Sequence, residues 1–493
     1  MLTTLRSHAH LPEATALAGM QHVLIVLRSD SVIPANCPDQ GLLSATLARR
    51  NLDITDLETE AVSANNSEGG LRVWLMLDPD KSTFEKHSRL REGFSLLLDE
   101  EPAAVDVILC AETDVAEHLA GLAAYVGLVN GTPLPNRKVK DVPKGLENLT
   151  LWGSAPGLHE ARADAEGNVL ARCLIALPPN ALTPSDYRRR IDELASEQAW
   201  KVETFDLQRL RKMGAGAFIS VAQGSEANDA AIVRISYTPT NAQGRVALIG
   251  KGICFDTGGH NLKSADSMIG MHEDMAGSAT VLGLLLSATR LNLPIQIDAW
   301  LALASNDISP RASRQGDVVT ALDGTSIEIV HTDAEGRMVL ADTLALAARD
   351  TPDLMIDFGT LTYTMIQALG YRYSGVFSST DQLGQQAVQA GIRSGERMST
   401  FPMDEDYADA LDSKVADICQ CTLDDDAPDH IHAALFLKRF TRELPWLHVD
   451  LSAASCDEGL GAVSTDQTGF GVAWGIRFLK DWLEAQGKPA VSL

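Results

Sequence analysis

Residues 246–250 form a short, wholly apolar run that ends directly in Lys251, and they open an alternation of strand and helix signals that continues toward the C-terminus. After a Gly-Gly turn at Gly258 and Gly259, residues 275–291 have helical length and apolar spacing, and 295–304 read as a strand. Residues 338–348 read as a helix that stops before Pro352, 354–358 and 447–451 as strands, and 469–486 as a terminal helix. Apolar strands that do not alternate, separated by helices, require a mostly parallel sheet covered on both faces. Asp323-Gly324 marks a hairpin, followed by Ile327 and Ile329 alternating with polar neighbours.

The first third carries apolar runs at 22–27, 71–77 and 105–110, separated by segments of helical composition, which predicts a smaller α/β domain. From 133 to 167 proline, glycine and lysine interrupt any period, so the domain boundary is expected near 165, giving units 1–165 and 166–493. At roughly 150 residues per domain, 493 residues suggest about three domains and permit two. No repeat of solenoid length and no low-complexity segment is evident.

Apolar residues make up 45% of the chain and charged residues 22%, which places it among folded globular proteins. Forty-one Lys plus Arg against 66 Asp plus Glu give a net charge of -25, which repels phosphate backbones and anionic lipid. Nucleic acid is therefore not expected as a partner, and the acidity is accounted for by solubility alone. No apolar stretch approaches the ~20 residues of a membrane span, and residues 1–15 lack the apolar core of a secretory signal. The seven cysteines (37, 110, 173, 254, 419, 421 and 456) are dispersed without CxxC spacing, as expected of a reducing, cytoplasmic setting.

Chemistry concentrates at strand ends, where open α/β sheets build sites: Lys251, Asp256, Lys263 and Asp274 in one place, Asp333, Glu335 and Arg337 in another. Four carboxylates converging in one crevice need cations, and two divalent ions would balance them. Oxygen-rich ligation without histidine or cysteine suits Mn, Mg or Zn better than copper. Each motif also has an ordinary structural reading. Thr332-Asp333-Ala334-Glu335 reads as a capping box for the helix that follows, and Asp164-Ala165-Glu166-Gly167 repeats its core without neighbouring lysines or strand ends. Lysines usually lie in solvent, yet Lys251 directly ends an apolar strand. His272-Glu273 lacks the second histidine of HExxH, and His430 and His432 are read as surface residues on different faces of a helix.

Three ordered motifs give these residues a family likeness. Gly250-Lys251-Gly252-Ile253-Cys254-Phe255-Asp256-Thr257-Gly258-Gly259 with Lys263, Asp274-Met275-Ala276-Gly277-Ser278-Ala279, and Thr332-Asp333-Ala334-Glu335-Gly336-Arg337 with Leu340-Ala341-Asp342 together resemble the leucyl aminopeptidase family, the M17 cytosolic metallopeptidases. Further likeness lies at 179–184, 213–218, 359–362 and 446–450, so coverage runs from about 170 to the end. The first third bears a general likeness to the family's smaller, macro-domain-like α/β module, ahead of a larger, zinc-peptidase-like catalytic domain.

The resemblance implies a metal-dependent aminopeptidase acting on peptides and dipeptides, with two divalent ions, Mn or Zn, per subunit. Asp256 and Glu335 would bridge the ions, Lys251 and Asp274 would complete one, and Asp333 the other. Lys263 and Arg337 would serve catalysis, with a bicarbonate at Arg337 as general base, and Met271, Thr360, Leu361 and Tyr363 would border the substrate. Physics agrees: two ions lower the pKa of a shared water from about 15.7 toward about 7, and protonated Lys263 can stabilise an oxyanion. A neutral Lys251 costs about 4.6 kcal/mol at pH 7, which coordination can offset. A metal that takes the free α-amine restricts cleavage to chain ends, and the family's apolar pocket implies apolar N-terminal residues. The resemblance also implies a homohexamer.

The chain departs from the family at His331, at His272-Glu273 and at Ala276, where the glycine that follows is kept, and Tyr363 stands where small residues are common. These changes allow a competing reading, a regulatory or binding homologue that has lost catalysis. A nucleotide- or DNA-binding N-terminal domain is disfavoured by the acidity and by the lack of a glycine-rich phosphate loop.

Overall fold

A computed structural model describes residues 3–29, 37–111, 113–154, 157–424 and 426–487, and it is mixed α/β throughout. It falls into two compact units. One comprises the chain up to Val169 with Ile392–Glu396 and Cys456–Thr468; the other comprises Leu170–Gly391, Arg397–Ser455 and the segment from Gly469.

The first unit is built on six strands: Thr4–His8 (β1), His22–Arg28 (β2), Val62–Asn65 (β3), Leu71–Leu77 (β4), Ala104–Cys110 (β5) and Asn148–Trp152 (β6). Their order is β1-β6-β5-β2-β4-β3, parallel except for β3 against β4. The three apolar runs of the sequence are β5, β2 and β4, the interior of this sheet, where both faces are covered and apolar residues follow one another. The stretch from 133 to 167 is not irregular throughout: β6 pairs between β1 and β5, and helix His159–Ile175 begins within it. Only Leu149 and Leu151 of β6 are buried, and two apolar positions in five residues are too brief an alternation to register. Residue 165 lies inside that helix, and residues 155 and 156 lie outside the described set.

In the second unit eight strands form the main sheet: Lys201–Asp206 (β7), Ala231–Tyr237 (β8), Arg245–Asp256 (β9), Gln296–Asn306 (β10), Leu354–Gly359 (β13), Ser374–Ser378 (β14), Met398–Thr400 (β15) and Trp446–Asp450 (β17). Val318–Thr320 (β11), Ser326–Glu328 (β12) and Ile418–Cys419 (β16) form a small separate sheet, in which β11 and β12 make the hairpin expected at Asp323-Gly324. The main order is β15-β14-β17-β13-β9-β10-β8-β7. Its centre, β17-β13-β9-β10, is parallel, and antiparallel pairs enter on both flanks. Helices Ala276–Arg290 and Glu335–Ala347 are buried along nearly their whole lengths, which is why they are apolar on every side. A Cβ at Gly277 would lie 2.2 Å from the Phe358 carbonyl oxygen, so this position admits only glycine without displacing helix from strand.

Candidate metal centre

The carboxyl ends of β9, β10, β13 and β17 meet at one edge of the sheet, and the acidic residues gather there. Lys251 lies within β9 and Asp256 at its end; Asn306 ends β10, Thr360 follows β13, and Asp450 ends β17. Asp274 precedes helix Ala276–Arg290, and Glu335 is the first residue of helix Glu335–Ala347. Both carboxylates therefore sit in the positive field of a helix N-terminus. The capping-box reading of Thr332 and Glu335 does not hold, because Ala334 occupies the N-cap. Thr332 instead bonds the Gly258 carbonyl (2.6 Å) and, through its own backbone N–H, Asn261 Oδ1 (2.9 Å), which ties the two motif loops together.

Carboxylate oxygens of Asp256, Asp333 and Glu335 lie within 4.8 Å of one another, so these three can share a cation. Asp274 reaches the same place through Lys251, whose Nζ is 2.8 Å from Asp274 Oδ1, 2.9 Å from Glu335 Oε1 and 2.9 Å from the Thr360 carbonyl. Lys263 Nζ spans Asp256 Oδ2 (2.9 Å) and Asp333 Oδ1 (2.6 Å). Gly258 N–H and Asn306 Nδ2 donate to Asp256 Oδ1 at 2.9 and 2.8 Å, and Thr360 Oγ1 donates to Asp274 Oδ1 at 2.7 Å. The structure thus brings together all five residues expected to hold metal, along with Lys263 and Thr360.

Two ammonium groups against four carboxylates leave this cluster with an excess of negative charge. Burial, then the neighbouring Glu335 and Asp256, push Asp274 up to about 8 despite Lys251. Burial and then Asp256 and Glu335 push Asp333 up to about 7, and burial with Asp256 also raises Glu335. Burial opposes the charge on Lys251 and Lys263, but the surrounding carboxylates outweigh it and hold both above the usual lysine range. Asp274 Oδ2 and Glu335 Oε2 are buried without a hydrogen-bond partner. Unsatisfied carboxylate oxygens amid surplus negative charge fit divalent cations.

The remaining expected residues sit around this core. Leu361 packs with the Lys251 stem: a Cβ on Gly336 would lie 2.7 Å from Lys251 Cε and 2.8 Å from Leu361 Cδ1. The Leu361 N–H and the Thr362 hydroxyl donate to Asp450, at 3.1 and 2.7 Å. Met271 is half-buried in the turn Met271–Glu273 ahead of Asp274, and Tyr363, first in helix Tyr363–Leu369, is 70% exposed.

Arg337 is buried at 1% exposure; Nη1 donates to the Gln420 carbonyl (3.1 Å), and Nη2 pairs with Asp429 Oδ2 at 2.7 Å. Each terminal nitrogen therefore already has one acceptor, and the carboxylate of Asp429 takes the place on the fork that an exchangeable anion would use. Asp429, Gln420 and Asn306 were not singled out from the sequence. Asn306 ends an apolar strand just as Asp256 does, and that signal would have found it. His432, expected at the surface, is buried, and His430 is half-buried against Phe401 and Thr364. Helix Asp429–Lys438 is buried continuously from Ile431 to Leu437, so it has no exposed face there for His432.

An acidic, lysine-bridged cluster at the carboxyl edge of a parallel sheet is the arrangement of an α/β enzyme site suited to cations. The sequence profile of the cytosol aminopeptidase family, catalytic domain, matches residues 169–475. Among relatives, a probable cytosol aminopeptidase of Solibacter usitatus is 35% identical over 368 residues, 73% of this chain and 76% of that protein. Another, from Stutzerimonas stutzeri, is 39% identical over 328 residues, 65% of this chain and 66% of that protein. Among solved structures, a mutant of tomato leucine aminopeptidase superposes with a TM-score of 0.84 at 26% identity, covering 97% of this chain and 96% of its own. Bottromycin maturation enzyme BotP in complex with Mn gives 0.80 at 30% identity, with 94% and 99% covered. The chain belongs to the cytosol aminopeptidase family and is a peptide-bond hydrolase. No helix among the described residues is long and apolar enough to cross a membrane.

Proposed function

We propose that the chain is a metal-dependent aminopeptidase that removes the N-terminal residue, preferably an apolar one, from short peptides and dipeptides. The observation that carries this reading is the convergence of the Asp256, Asp333 and Glu335 carboxylates, with Asp274 joined through Lys251. In this reading Asp256, Glu335, Lys251, Asp274 and Asp333 would together hold two divalent ions, with Asp256 and Glu335 shared between them. Manganese or zinc suits the oxygen-rich set. When bound, the ions supply an acidified water at neutral pH. Lys251 would have to be the free amine to serve as a ligand. Lys263, kept protonated by Asp256 and Asp333, turns its N–H groups toward the developing oxyanion. Thr360 holds Asp274 by hydrogen bonding, Leu361 covers the Lys251 stem, and Met271 and Tyr363 border the first side chain of the substrate.

We extend the reading to a cytoplasmic homohexamer; the exposed apolar side chains Leu262, Ile269 and Tyr363 on the catalytic unit are of the kind such an assembly covers. A monomer by light scattering would refute that extension. The activity itself is tested by stripping metal, confirming loss of leucine anilide hydrolysis, and restoring it with Mn or Zn. Glu335→Ala should abolish restoration, whereas restoration in that variant would remove the basis of the assignment.

A further inference from the structure

We infer that Asp429 is the built-in counter-anion of Arg337, a positioning residue that fills with a fixed carboxylate the place an exchangeable anion would take. The inference rests on the aminopeptidase reading of the site. Asp429 Oδ2 lies 2.7 Å from Arg337 Nη2, and the Gln420 carbonyl takes Nη1 from the other side. Gln420 in turn donates through Nε2 to the Ala334 carbonyl (2.9 Å), immediately before Glu335. The guanidinium is thus clamped between the Asp429 helix and the loop that delivers a metal-holding carboxylate. The Asp429 side chain is 32% exposed while that of Arg337 is 1% exposed, so the carboxylate stands between the arginine and solvent.

A buried guanidinium without a carboxylate partner would draw in a free anion, because an unpaired buried charge is costly. Here the chain supplies that partner covalently. Arg337 Nε and Asp429 Oδ1 remain buried without hydrogen-bond partners, so the pair is not saturated. Removing the Asp429 carboxylate should therefore convert Arg337 from a filled position into an anion seat.

The experiment uses the full, metal-loaded chain in buffers depleted of carbon dioxide, with bicarbonate and formate as added probes. Wild type should keep its kcat without bicarbonate and should show no bicarbonate binding by calorimetry. Asp429→Ala should lose roughly 100-fold in kcat with little change in KM, regain activity on added bicarbonate or formate, and bind bicarbonate measurably. Asp429→Glu should retain much of the activity without added anion. A wild-type enzyme that needs bicarbonate or binds it, or an Asp429→Ala enzyme that keeps full kcat, would overturn the inference. If Asp429→Ala does not fold, the wild-type measurements alone decide. A wild-type protein inert under every metal and anion condition counts instead against the aminopeptidase reading, and the binding measurement still judges Asp429.

Discussion

Lys251 Nζ and Glu335 Oε1 lie 2.9 Å apart, with both side chains almost wholly removed from solvent. In this cluster the lysine acts as a partial stand-in for cations, and the excess carboxylate charge remains. Divalent metal should therefore stabilise the fold: at a concentration 100-fold above Kd the gain is about 2.7 kcal/mol. Scanning fluorimetry of metal-stripped protein should show a rise in melting temperature on adding Mn or Zn. Glu335→Ala should lose that rise, while Glu166→Ala, in the other copy of the same short motif, should keep it. Equal responses in the two variants would place the metal elsewhere.

The contact between Gly277 and Phe358 makes a second prediction. A methyl group at 277 would meet backbone rather than a movable side chain, at 2.2 Å from the Phe358 oxygen. Gly277→Ala should destabilise the protein by roughly 1–3 kcal/mol and lower activity by displacing Asp274, three residues away. Gly336→Ala meets the flexible Lys251 and Leu361 side chains instead, and it should perturb activity more than stability. Urea denaturation of the two variants beside wild type checks the contrast.

How much of this was legible follows from which residues had room to show a pattern. Lys251 was legible as a charge directly after an apolar run, although the strand does not end there as expected: β9 continues to Asp256, and Lys251 is a buried charge inside it. Asp256, Asp274, Asp333 and Glu335 followed from strand ends and ordered motifs. Asp429 and His432 were missed because their helix was read as having a wet face; yet the apolar run after His432 admits none, and that was the available signal. Strands β1 and β3 are edge strands of only five and four residues, too short for a period to disclose them.

His448 and Asp357 supply a pH-dependent prediction. His448 Nδ1 is 2.6 Å from Asp357 Oδ1, and Trp446 Nε1 donates to Asp357 Oδ2 at 2.7 Å, all within the sheet interior. Burial disfavours the imidazolium, but Asp357 and Asp450 outweigh that and raise the His448 pKa above its ordinary value. A raised histidine pKa contributes stability that is complete below the unfolded value of about 6.5 and is lost as pH rises through the folded value. The stability difference between wild type and His448→Gln should therefore be greatest below pH ~6.5 and shrink in alkaline buffer. Urea titrations of both proteins at several pH values isolate this group, because other titrations cancel in the difference. A difference that grows with pH would show that His448 is neutral in the fold.

In the proposed reading, substrate preference turns on Tyr363, which is exposed while Thr360 and Leu361 beside it are fixed by Asp274, Lys251 and Asp450. If these fixed residues floor the proposed substrate pocket, an exposed ring beside them would limit how large a side chain can enter. A kcat/KM series over amino-acid anilides should place Leu and Met among the best substrates of the wild type. Tyr363→Ala should improve Phe and Trp anilides relative to Leu by roughly 10-fold or more, the scale on which apolar pockets discriminate by size. Since the ring makes no bond to the residues proposed to hold metal, the variant should retain wild-type activity on Leu within a few-fold. Preference unchanged by Tyr363→Ala would detach this residue from the substrate, and poor turnover of both Leu and Met would remove the apolar preference itself.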